Sequence, residues 1–357
     1  MYPRLIVDIE KIRRNTFLLT ELCKNHAIEV AGVTKVFCGD PIIAKAYIDG
    51  GVKYLADSRV ENLKKMRDLS LPKLMLRLPM LSEVKEIVRY ADLSLNSEWK
   101  TICFLDREAR RQKTTHGIIL MIDLGDLREG IIDLKEAHEL VGKIRALEHV
   151  KLEGIGTNLT CYGGILPTKE NLERLVMIRD QLVHQYGIDL PVLSGGNSSS
   201  LYLLDDDKMP TAINMLRIGE GIVLGRETAF GKPIEGAFDD GFVLELELIE
   251  VRDKPSFPIG EVGLDAFGNK PEFEDKGPMR RGICAAGRQD VSIEGLLPED
   301  SEISIIGASS DHLIVDLSKR TQYVVGDVLR FKLTYGGLLA ACTSPYVARE
   351  YTNKTIE

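Results

Sequence analysis

Eight apolar, strand-like runs alternate with helical segments through the first two-thirds of this chain, and this alternation constrains the fold most strongly. The expected strands cover residues 29–33, 52–55, 73–78, 92–95, 117–124, 151–156, 191–193 and 213–218. Strands that are separated by helices pair in parallel, because each helix carries the chain back to the starting edge of the sheet. Eight such units predict a closed (β/α)8 barrel, with an open doubly wound sheet as the alternative.

The pattern changes near residue 240. Residues 242–251 (FVLELELIEV) alternate apolar with acidic side chains, which is typical of a half-buried antiparallel strand. Further short strand-like runs cover residues 303–306, 312–316, 322–325 and 328–333. A chain of 357 residues is also long enough to form two cores. We therefore expect an N-terminal (β/α)8 barrel domain over residues 1–238 and a C-terminal all-β domain over residues 239–357.

The charge and composition argue against several classes of protein. The formal net charge is -8, whereas binding to nucleic acid requires a basic surface, so we expect no nucleic-acid partner. No apolar run approaches the roughly 20 residues of a membrane-spanning helix, and the N-terminus lacks a signal-peptide pattern. The six cysteines are far apart and show neither zinc-ligand spacing nor a dense disulfide framework. We expect no metal site and a cytoplasmic location.

A lone lysine lies just beyond the first expected barrel strand, in the run VAGVTK that ends at Lys35. Reacting groups of such barrels lie at the C-terminal ends of the strands. A partly desolvated pocket there disfavours the ammonium form of a lysine, and the neutral amine forms Schiff bases with carbonyl compounds. Lys35 is therefore either an ordinary surface lysine or a Schiff-base lysine that acts with or without a carbonyl cofactor.

Two glycine-rich turns follow the last two expected barrel strands. They are residues 194–200 (SGGNSSS) and residues 219–221 (GEG). Backbone N–H groups and hydroxyls in such turns bind phosphate, and phosphate sites recur after strands seven and eight of barrels. Tight loop geometry without a ligand is the alternative explanation.

Arg217 lies between Leu216 and Ile218, so the pattern predicts that it is buried. A buried arginine needs a partner. One hypothesis is a structural ion pair with a nearby carboxylate such as Glu220. The other is contact with the ring nitrogen of a pyridoxal cofactor, which would stay unprotonated because a guanidinium does not give up its proton.

These segments together resemble the alanine racemase family, the pyridoxal-phosphate enzymes of fold type III, over nearly the whole chain. Residues 33–35 (VTK) are similar to the family's Val-Val-Lys, and residues 123–130 (DLGDLREG) to its Asp-Thr-Gly-Met-x-Arg-x-Gly. Residues 217–219 (RIG) match its Arg-Ile-Gly turn. Residues 307–316 (GASSDHLIVD) and 346–351 (YVAREY) resemble motifs of its C-terminal domain.

The resemblance implies a site for pyridoxal 5'-phosphate. Lys35 would bind the cofactor covalently, and Arg128 would lie near its phenolic oxygen and the substrate carboxylate. Arg217 would contact the pyridine nitrogen. The other cofactor contacts, several of them to the phosphate, would come from Asn158, Asn197, Ser198, Gly219, Glu220 and Tyr351.

Three positions depart from the family pattern. Residues 37–40 (FCGD) stand where alanine racemases have Tyr-Gly-His-Gly soon after the lysine. Asn158 stands where the family has a histidine stacked on the cofactor ring. The family's catalytic tyrosine is missing from residues 260–268 (GEVGLDAFG), where Asp265 is the nearest ionisable residue. Asp265 is therefore the candidate second base, unless it is only a turn aspartate, and Asp290 and Asp311 are the other candidates.

The resemblance is closest to the alanine/ornithine racemase branch. It implies interconversion of L- and D-amino acids, with ornithine as the expected substrate and lysine, alanine and serine as alternatives. Lys35 would move the Cα proton on one face of a cofactor–substrate Schiff base. An acidic or other group from the β domain of the partner subunit, in a head-to-tail homodimer, would serve the other face.

Two alternative functions remain open within the same cofactor class. One is a pyridoxal-phosphate-binding homeostasis protein without turnover, although such proteins lack a β domain. The other is a D-amino-acid aldolase or lyase of fold type III. An activity that depends on a metal ion would indicate this function.

Overall fold

The computed structural model describes residues 1–205, 208–264, 267–270 and 272–353 of the chain. The chain divides into two compact units, Lys11–Phe238 and a second unit that combines Met1–Glu10 with Asp239–Glu357. The second unit begins with strand β1 (Arg4–Asp8). The division falls inside helix α1 (Ile9–Lys24), which follows β1 directly.

The larger unit is a closed barrel of eight parallel strands. Each strand pairs with the next one along the chain, and the last pairs with the first. The strands are β2 (Glu29–Val33), β3 (Tyr54–Asp57), β4 (Lys73–Met75), β5 (Leu93–Asn96), β6 (His116–Met121), β7 (Val150–Gly156), β8 (Val192–Asn197) and β9 (Met215–Ile218). The expected (β/α)8 barrel is confirmed, and the doubly wound alternative is wrong.

Helices follow the barrel strands along the chain, one after each strand. They are α2 (Pro41–Asp49), α3 (Val60–Lys65), α4 (Val84–Tyr90), α5 (Trp99–Gln112), α6 (Leu134–Ile144), α7 (Lys169–Tyr186), α8 (Tyr202–Asp205) and α9 (Glu220–Leu224). Local signals start several of them. The carboxylate of Asp40 accepts a hydrogen bond from the Ile42 N–H at 3.0 Å and so caps α2, which begins with a proline.

The centre of the barrel is filled by apolar side chains, so the barrel is a packed core and not a pore. The buried cluster comprises Ala31, Val33, Ala56, Leu74, Leu95, Ile119, Met121 and Met215. Arg217 lies two residues beyond Met215 on β9, so its side chain points to the same side of the strand. A charged side chain therefore lies at the C-terminal end of this apolar core.

The second unit is built around an antiparallel sheet with the strand order β12-β15-β10-β11-β14-β13, and β1 pairs with both β10 and β16. Its later strands are β10 (Phe242–Pro255), β11 (Pro278–Cys284), β12 (Leu296–Pro298), β13 (Ser304–Ala308), β14 (Leu313–Asp316), β15 (Val328–Leu333) and β16 (Ala348–Thr352). One helix, α10 (Tyr335–Thr343), precedes β16. The expected C-terminal β architecture is confirmed.

The structure differs from the sequence expectation at three places in this unit. Residues 1–10 group with it and not with the barrel, because β1 forms its ladders with β10 and β16. Residues 322–325 form no strand, since the Asp327 N–H donates to the Val324 carbonyl and Gly326 turns the chain at φ 94°. Helix α10 is an element that the periodicity did not predict.

Within the described residues, no helix combines the length and apolarity that a membrane crossing demands. None of the six cysteines, all of which lie in the described part of the chain, forms a disulfide.

Candidate active site

Lys35 lies directly after β2, at the C-terminal end of the barrel. Residues Lys35–Phe37 form one turn of 3-10 helix, in which Val36 and Phe37 are buried. The lysine side chain is exposed. The described residues of this unit alone therefore do not form the partly desolvated pocket expected around it, since the turn buries Val36 and Phe37 while the lysine side chain is exposed.

A buried carboxylate holds the turn that carries Lys35. The hydroxyl of Thr34 donates to Asp57 at 2.6 Å, and Asp57 lies at the end of β3 with no exposed surface. Asp57 also accepts hydrogen bonds from the Asn62 amide at 3.0 Å and the Arg59 N–H at 2.9 Å. Burial raises the pKa of Asp57, although these donors act against the shift.

Arg217 is buried at the end of β9, with 4% of its surface exposed. Its guanidinium donates to the Ser194 hydroxyl, to the Thr157 carbonyl at 2.8 Å and to Asn158 Oδ1 at 3.3 Å. Burial lowers the pKa of Arg217 to about 10. The expected ion pair with Glu220 is absent from the described structure, because the carboxylate of that residue pairs with Arg226 at 3.0 Å. The buried cation is held by neutral oxygens.

Three buried polar atoms beside these groups have no hydrogen-bond partner among the described residues. They are Thr157 Oγ1, Asn158 Nδ2 and Ser199 Oγ. A buried polar atom without a partner costs about 1–3 kcal/mol. Three of them beside the two glycine-rich turns therefore fit a polar ligand that bonds to them.

The two glycine-rich turns are joined by Ser198. Its hydroxyl accepts hydrogen bonds from the N–H groups of Gly219 at 3.3 Å and Gly221 at 3.1 Å. Gly196 has φ 119°, and a Cβ there would lie 2.6 Å from Ser200 Oγ, so the first turn needs a glycine. Both turns are therefore fixed by specific contacts.

Asn197 links the first turn to the loop after β7. Its Nδ2 donates to Asn158 Oδ1 at 3.1 Å and to the Leu159 carbonyl at 2.9 Å. Together with Ser198, Ser199 and the N–H groups of residues 219–221, this region is rich in donors. The Glu220 carboxylate is turned to Arg226, so the donor set suits an anion such as a phosphate group.

Arg128 lies in the loop that follows β6, and its guanidinium forms an ion pair with Glu129. Burial lowers the pKa of Arg128, but the hydrogen bond to Glu129 and the nearby charges of Cys161, Glu129 and Asp126 together outweigh this effect, and the net pKa is raised. The charge of Arg128 in turn lowers the pKa of Arg217. The structure thus brings both arginines of the predicted site to one end of the barrel.

Asp126 ties the loop after β6 to the loop after β7. Its carboxylate accepts hydrogen bonds from the N–H groups of Thr160 at 3.1 Å, Tyr162 at 3.0 Å and Ile165 at 3.2 Å. Burial raises the pKa of Asp126, but hydrogen bonds from the backbone of Tyr162, Ile165, Cys161 and Gly163 together outweigh it, and the net pKa is lowered. The same loop carries Cys161, whose sulfur accepts a hydrogen bond from Asn197 Nδ2 at 3.4 Å.

Those predicted residues of the C-terminal unit that the structure describes lie on a strand and in two turns. Tyr351 lies on β16 and is partly exposed. Asp290 is buried and accepts from the Gly287 N–H at 2.9 Å, so its carboxylate serves a turn. Asp311 is exposed, and a hydrogen bond to His312 lowers its pKa. Asp265 lies outside the described residues.

Several groups that shape the barrel end were given no role by the sequence. Asp57, Asp126, Glu129 and Cys161 contact or neighbour predicted site residues. Glu129 had a detectable signal, since it stands beside Arg128 in the family-like segment DLGDLREG. Asp57 had none, because its partner Thr34 lies 23 residues away in the chain. No group of three metal-ligating side chains occurs in the portion of the chain that is described.

Comparison with protein families and curated proteins gives the following matches. Residues 7–227 match the family described as alanine racemase, N-terminal domain. A protein of Acetoanaerobium sticklandii named ornithine racemase is 47% identical over 98% of this chain and 99% of its own length. A protein of Thermotoga maritima named lysine racemase is 41% identical over 98% of this chain and 99% of its own length.

Solved structures share the fold at low sequence identity. The alanine racemase of Bartonella henselae, with covalently bound pyridoxal phosphate, has a TM-score of 0.73 at 16% identity over 98% of this chain and 99% of that one. The D-threonine aldolase of Filomicrobium marinum has a TM-score of 0.72 at 14% identity over 96% and 89%. The fold alone therefore does not separate racemases from aldolases.

Proposed function

The chain belongs to the alanine racemase family, and we propose that it is an amino-acid racemase that uses pyridoxal 5'-phosphate and interconverts L- and D-ornithine. One observation carries this proposal: the 47% identity, over 98% of the chain, to a protein named ornithine racemase. The relative that is 41% identical is named for lysine, another amino acid with a distal amine. The proposed substrate is therefore a basic amino acid.

The groups at the barrel end fit this cofactor. Hydroxyl, amide and backbone N–H donors at Asn197, Ser198 and residues 219–221 would hold its phosphate, and Tyr351 is a further proposed contact. Arg217 would hold the ring nitrogen, and Lys35 would form the covalent link. The unpartnered Thr157 Oγ1, Asn158 Nδ2 and Ser199 Oγ are what a polar ligand would satisfy.

When bound, pyridoxal phosphate supplies an electron-withdrawing ring that acidifies the Cα–H bond of an attached amino acid. Arg217, with a pKa of about 10, keeps its own proton near neutral pH and so leaves the ring nitrogen uncharged. Proton transfer at Cα then depends on well-placed bases. Lys35 would take or return the proton on one face, and Asp265 is the proposed group for the other face.

Arg128 would orient the substrate by binding its carboxylate. A guanidinium suits this task because it stays charged and its N–H groups form charge-assisted hydrogen bonds to carboxylate oxygens. The same contact distinguishes an amino acid from a simple amine of similar length.

The function is tested by incubating cofactor-loaded protein in heavy water with L-ornithine, L-lysine or L-alanine. Racemisation predicts loss of optical activity together with deuterium at Cα, fastest for ornithine. Lys35→Ala should abolish both signals, whereas Lys45→Ala, which removes an exposed lysine from α2, should leave them unchanged. Absence of both signals with every amino acid would refute the proposal.

The alternatives predict other results. A cofactor-homeostasis protein would bind pyridoxal phosphate without exchanging the Cα proton. An aldolase or lyase would release an aldehyde or another fragment from a β-hydroxy amino acid and would require a metal ion.

We also propose a homodimer in which residues 239–357 serve the active site of the partner subunit. This proposal follows the family resemblance and is checked by light scattering, which should give twice the mass of one chain. A reducing compartment, the cytoplasm, suits six cysteines that form no disulfide.

A further inference from the structure

Arg128 and Glu129 form an ion pair between neighbouring residues. Glu129 accepts from Nε and Nη2 of Arg128, one oxygen for each nitrogen. The side chain of Glu129 is 13% exposed, whereas that of Arg128 is 40% exposed. A two-bond pair of this kind fixes the plane of the guanidinium as well as its position.

The backbone of the loop makes this neighbour pair possible. Asp123 accepts from the N–H groups of Gly125 at 2.8 Å and Leu127 at 3.3 Å, and Leu127 adopts φ 57°. Gly130 adopts φ 119°, and a Cβ there would lie 2.6 Å from the Asp123 nitrogen. Consecutive residues of an extended strand point to opposite sides. This tightly closed loop instead brings two consecutive side chains together.

The charges of Arg128 and Glu129 also affect Arg217. The charge of Arg128 lowers the pKa of Arg217, and the charge of Glu129 raises it. Two guanidinium groups therefore act on each other at the end of the barrel, and one carboxylate offsets part of their repulsion. Among the described residues, Glu129 is the carboxylate that forms an ion pair with Arg128 and resists that repulsion at its observed position.

We propose that Glu129 is a positioning residue that holds the Nε and Nη2 edge of Arg128, so that Nη1 is left for the carboxylate of the substrate. This inference rests on the proposed function, because it takes the carboxylate of an amino-acid substrate as the second partner of Arg128. Glu129 acts only through Arg128 and contacts no reacting atom.

The test is a titration of the cofactor absorption band with two ligands. L-Ornithine carries the carboxylate, and 1,4-diaminobutane is the same chain without it. Glu129→Gln should weaken binding of L-ornithine about 10-fold or more, by analogy with metal sites, where loss of a residue that orients a ligand costs about 10- to 100-fold. The affinity for 1,4-diaminobutane should change less than about 3-fold, because that ligand does not use Arg128.

Two further comparisons separate positioning from general structural damage. Glu108→Gln is the matched control, since Glu108 holds Nε and Nη2 of Arg111 at 2.8 and 2.7 Å on helix α5. It should leave both affinities unchanged. In a double-mutant cycle, Arg128→Gln with Glu129→Gln should lose no more ornithine affinity than Arg128→Gln alone. Glu129→Asp, which keeps the charge, should recover part of the loss.

Three outcomes with the Glu129 variant would overturn the inference. Glu129→Gln could bind both ligands like the wild type, it could weaken both ligands equally, or its effect could add in full to that of Arg128→Gln. A wild-type protein whose absorption band responds to 1,4-diaminobutane but to no amino acid would also reject it. That last result is obtained with the wild-type protein alone, and it contradicts the proposed function as well.

Discussion

Arg217 shows how far a single residue can be interpreted from its neighbours in the chain. Its apolar flanks predict burial, and the residue is 4% exposed. They do not predict its partners. The carboxylate of Glu220 pairs with Arg226 instead. Neutral oxygens of Ser194 on β8 and of Thr157, just after β7, hold the guanidinium. Strand periodicity fixes the side to which a residue points, whereas its partners depend on how the barrel closes.

Replacing Arg217 tests its proposed role directly. Arg217→Gln removes the cation and should lower kcat for L-ornithine about 10- to 100-fold, as expected for a group that tunes a bound cofactor. Arg179→Gln, which breaks an ion pair with Asp180 on helix α7, should leave kcat unchanged. A normal kcat in Arg217→Gln would contradict the role assigned to this residue.

His116 predicts a pH dependence of stability. Burial lowers its pKa from 6.5 to about 4, so the unfolded chain binds a proton at this site more readily than the folded chain does. The contribution of neutral, buried His116 to the free energy of unfolding is therefore fully present above pH 6.5. It is lost as the pH falls towards 4, and the loss totals about 3 kcal/mol.

Urea unfolding of the wild type and of His116→Gln between pH 4 and pH 7 measures this loss. The substitution should flatten the pH dependence across that range. His184→Gln, which removes an exposed histidine from helix α7, should keep the wild-type slope. Equal slopes for the wild type and His116→Gln would contradict the assignment.

At the scale of secondary-structure elements, periodicity placed all eight barrel strands close to their observed positions. The largest error is at β8, which was expected to end at Leu193 but continues to Asn197. The two glycines in residues 194–197 (SGGN) predict a turn. They extend the strand because Asn197 pairs with Arg217 on β9, a partner that sequence alone does not reveal.

The turn that carries Lys35 depends on one glycine. Gly39 has φ 61°, and a Cβ there would lie 2.6 Å from Asn62 Cβ. Gly39→Ala should therefore lower the free energy of unfolding by more than the roughly 1–2 kcal/mol that left-handed backbone alone costs. It should also displace the turn and reduce cofactor binding.

Gly187→Ala provides the matched comparison. Gly187 has φ 59°, and a Cβ there meets nothing within 4 Å. Chemical denaturation should show the backbone cost alone for Gly187→Ala and a larger loss for Gly39→Ala. Equal losses in the free energy of unfolding would mean that the contact with Asn62 adds nothing to the cost of Gly39→Ala.

At the scale of the whole molecule, the placement of the first ten residues could not be predicted from local sequence. Arg4 on β1 pairs with Glu245 on β10, 241 positions away, and its guanidinium bonds to that carboxylate at 2.6 Å. A short apolar run at the N-terminus fits a barrel or a sheet equally well. Only the long-range strand ladder assigns it to the C-terminal unit.

Two core substitutions separate the two units. Leu5 on β1 and Leu19 on α1 are both fully buried, and each change to alanine should cost about 2–5 kcal/mol. Leu5→Ala should speed amide hydrogen exchange in β10 and β16, whereas Leu19→Ala should speed it in the barrel unit. Faster exchange confined to the barrel in Leu5→Ala would contradict the grouping of β1.

The central claim is that the amine at the end of the first barrel strand holds the cofactor. The most direct measurement is borohydride reduction of the protein with pyridoxal 5'-phosphate, followed by mass spectrometry of its peptides. We expect one pyridoxyl group, on Lys35, with none at that site in Lys35→Ala. A protein without any adduct, or one whose principal adduct lies on another lysine, would contradict the account.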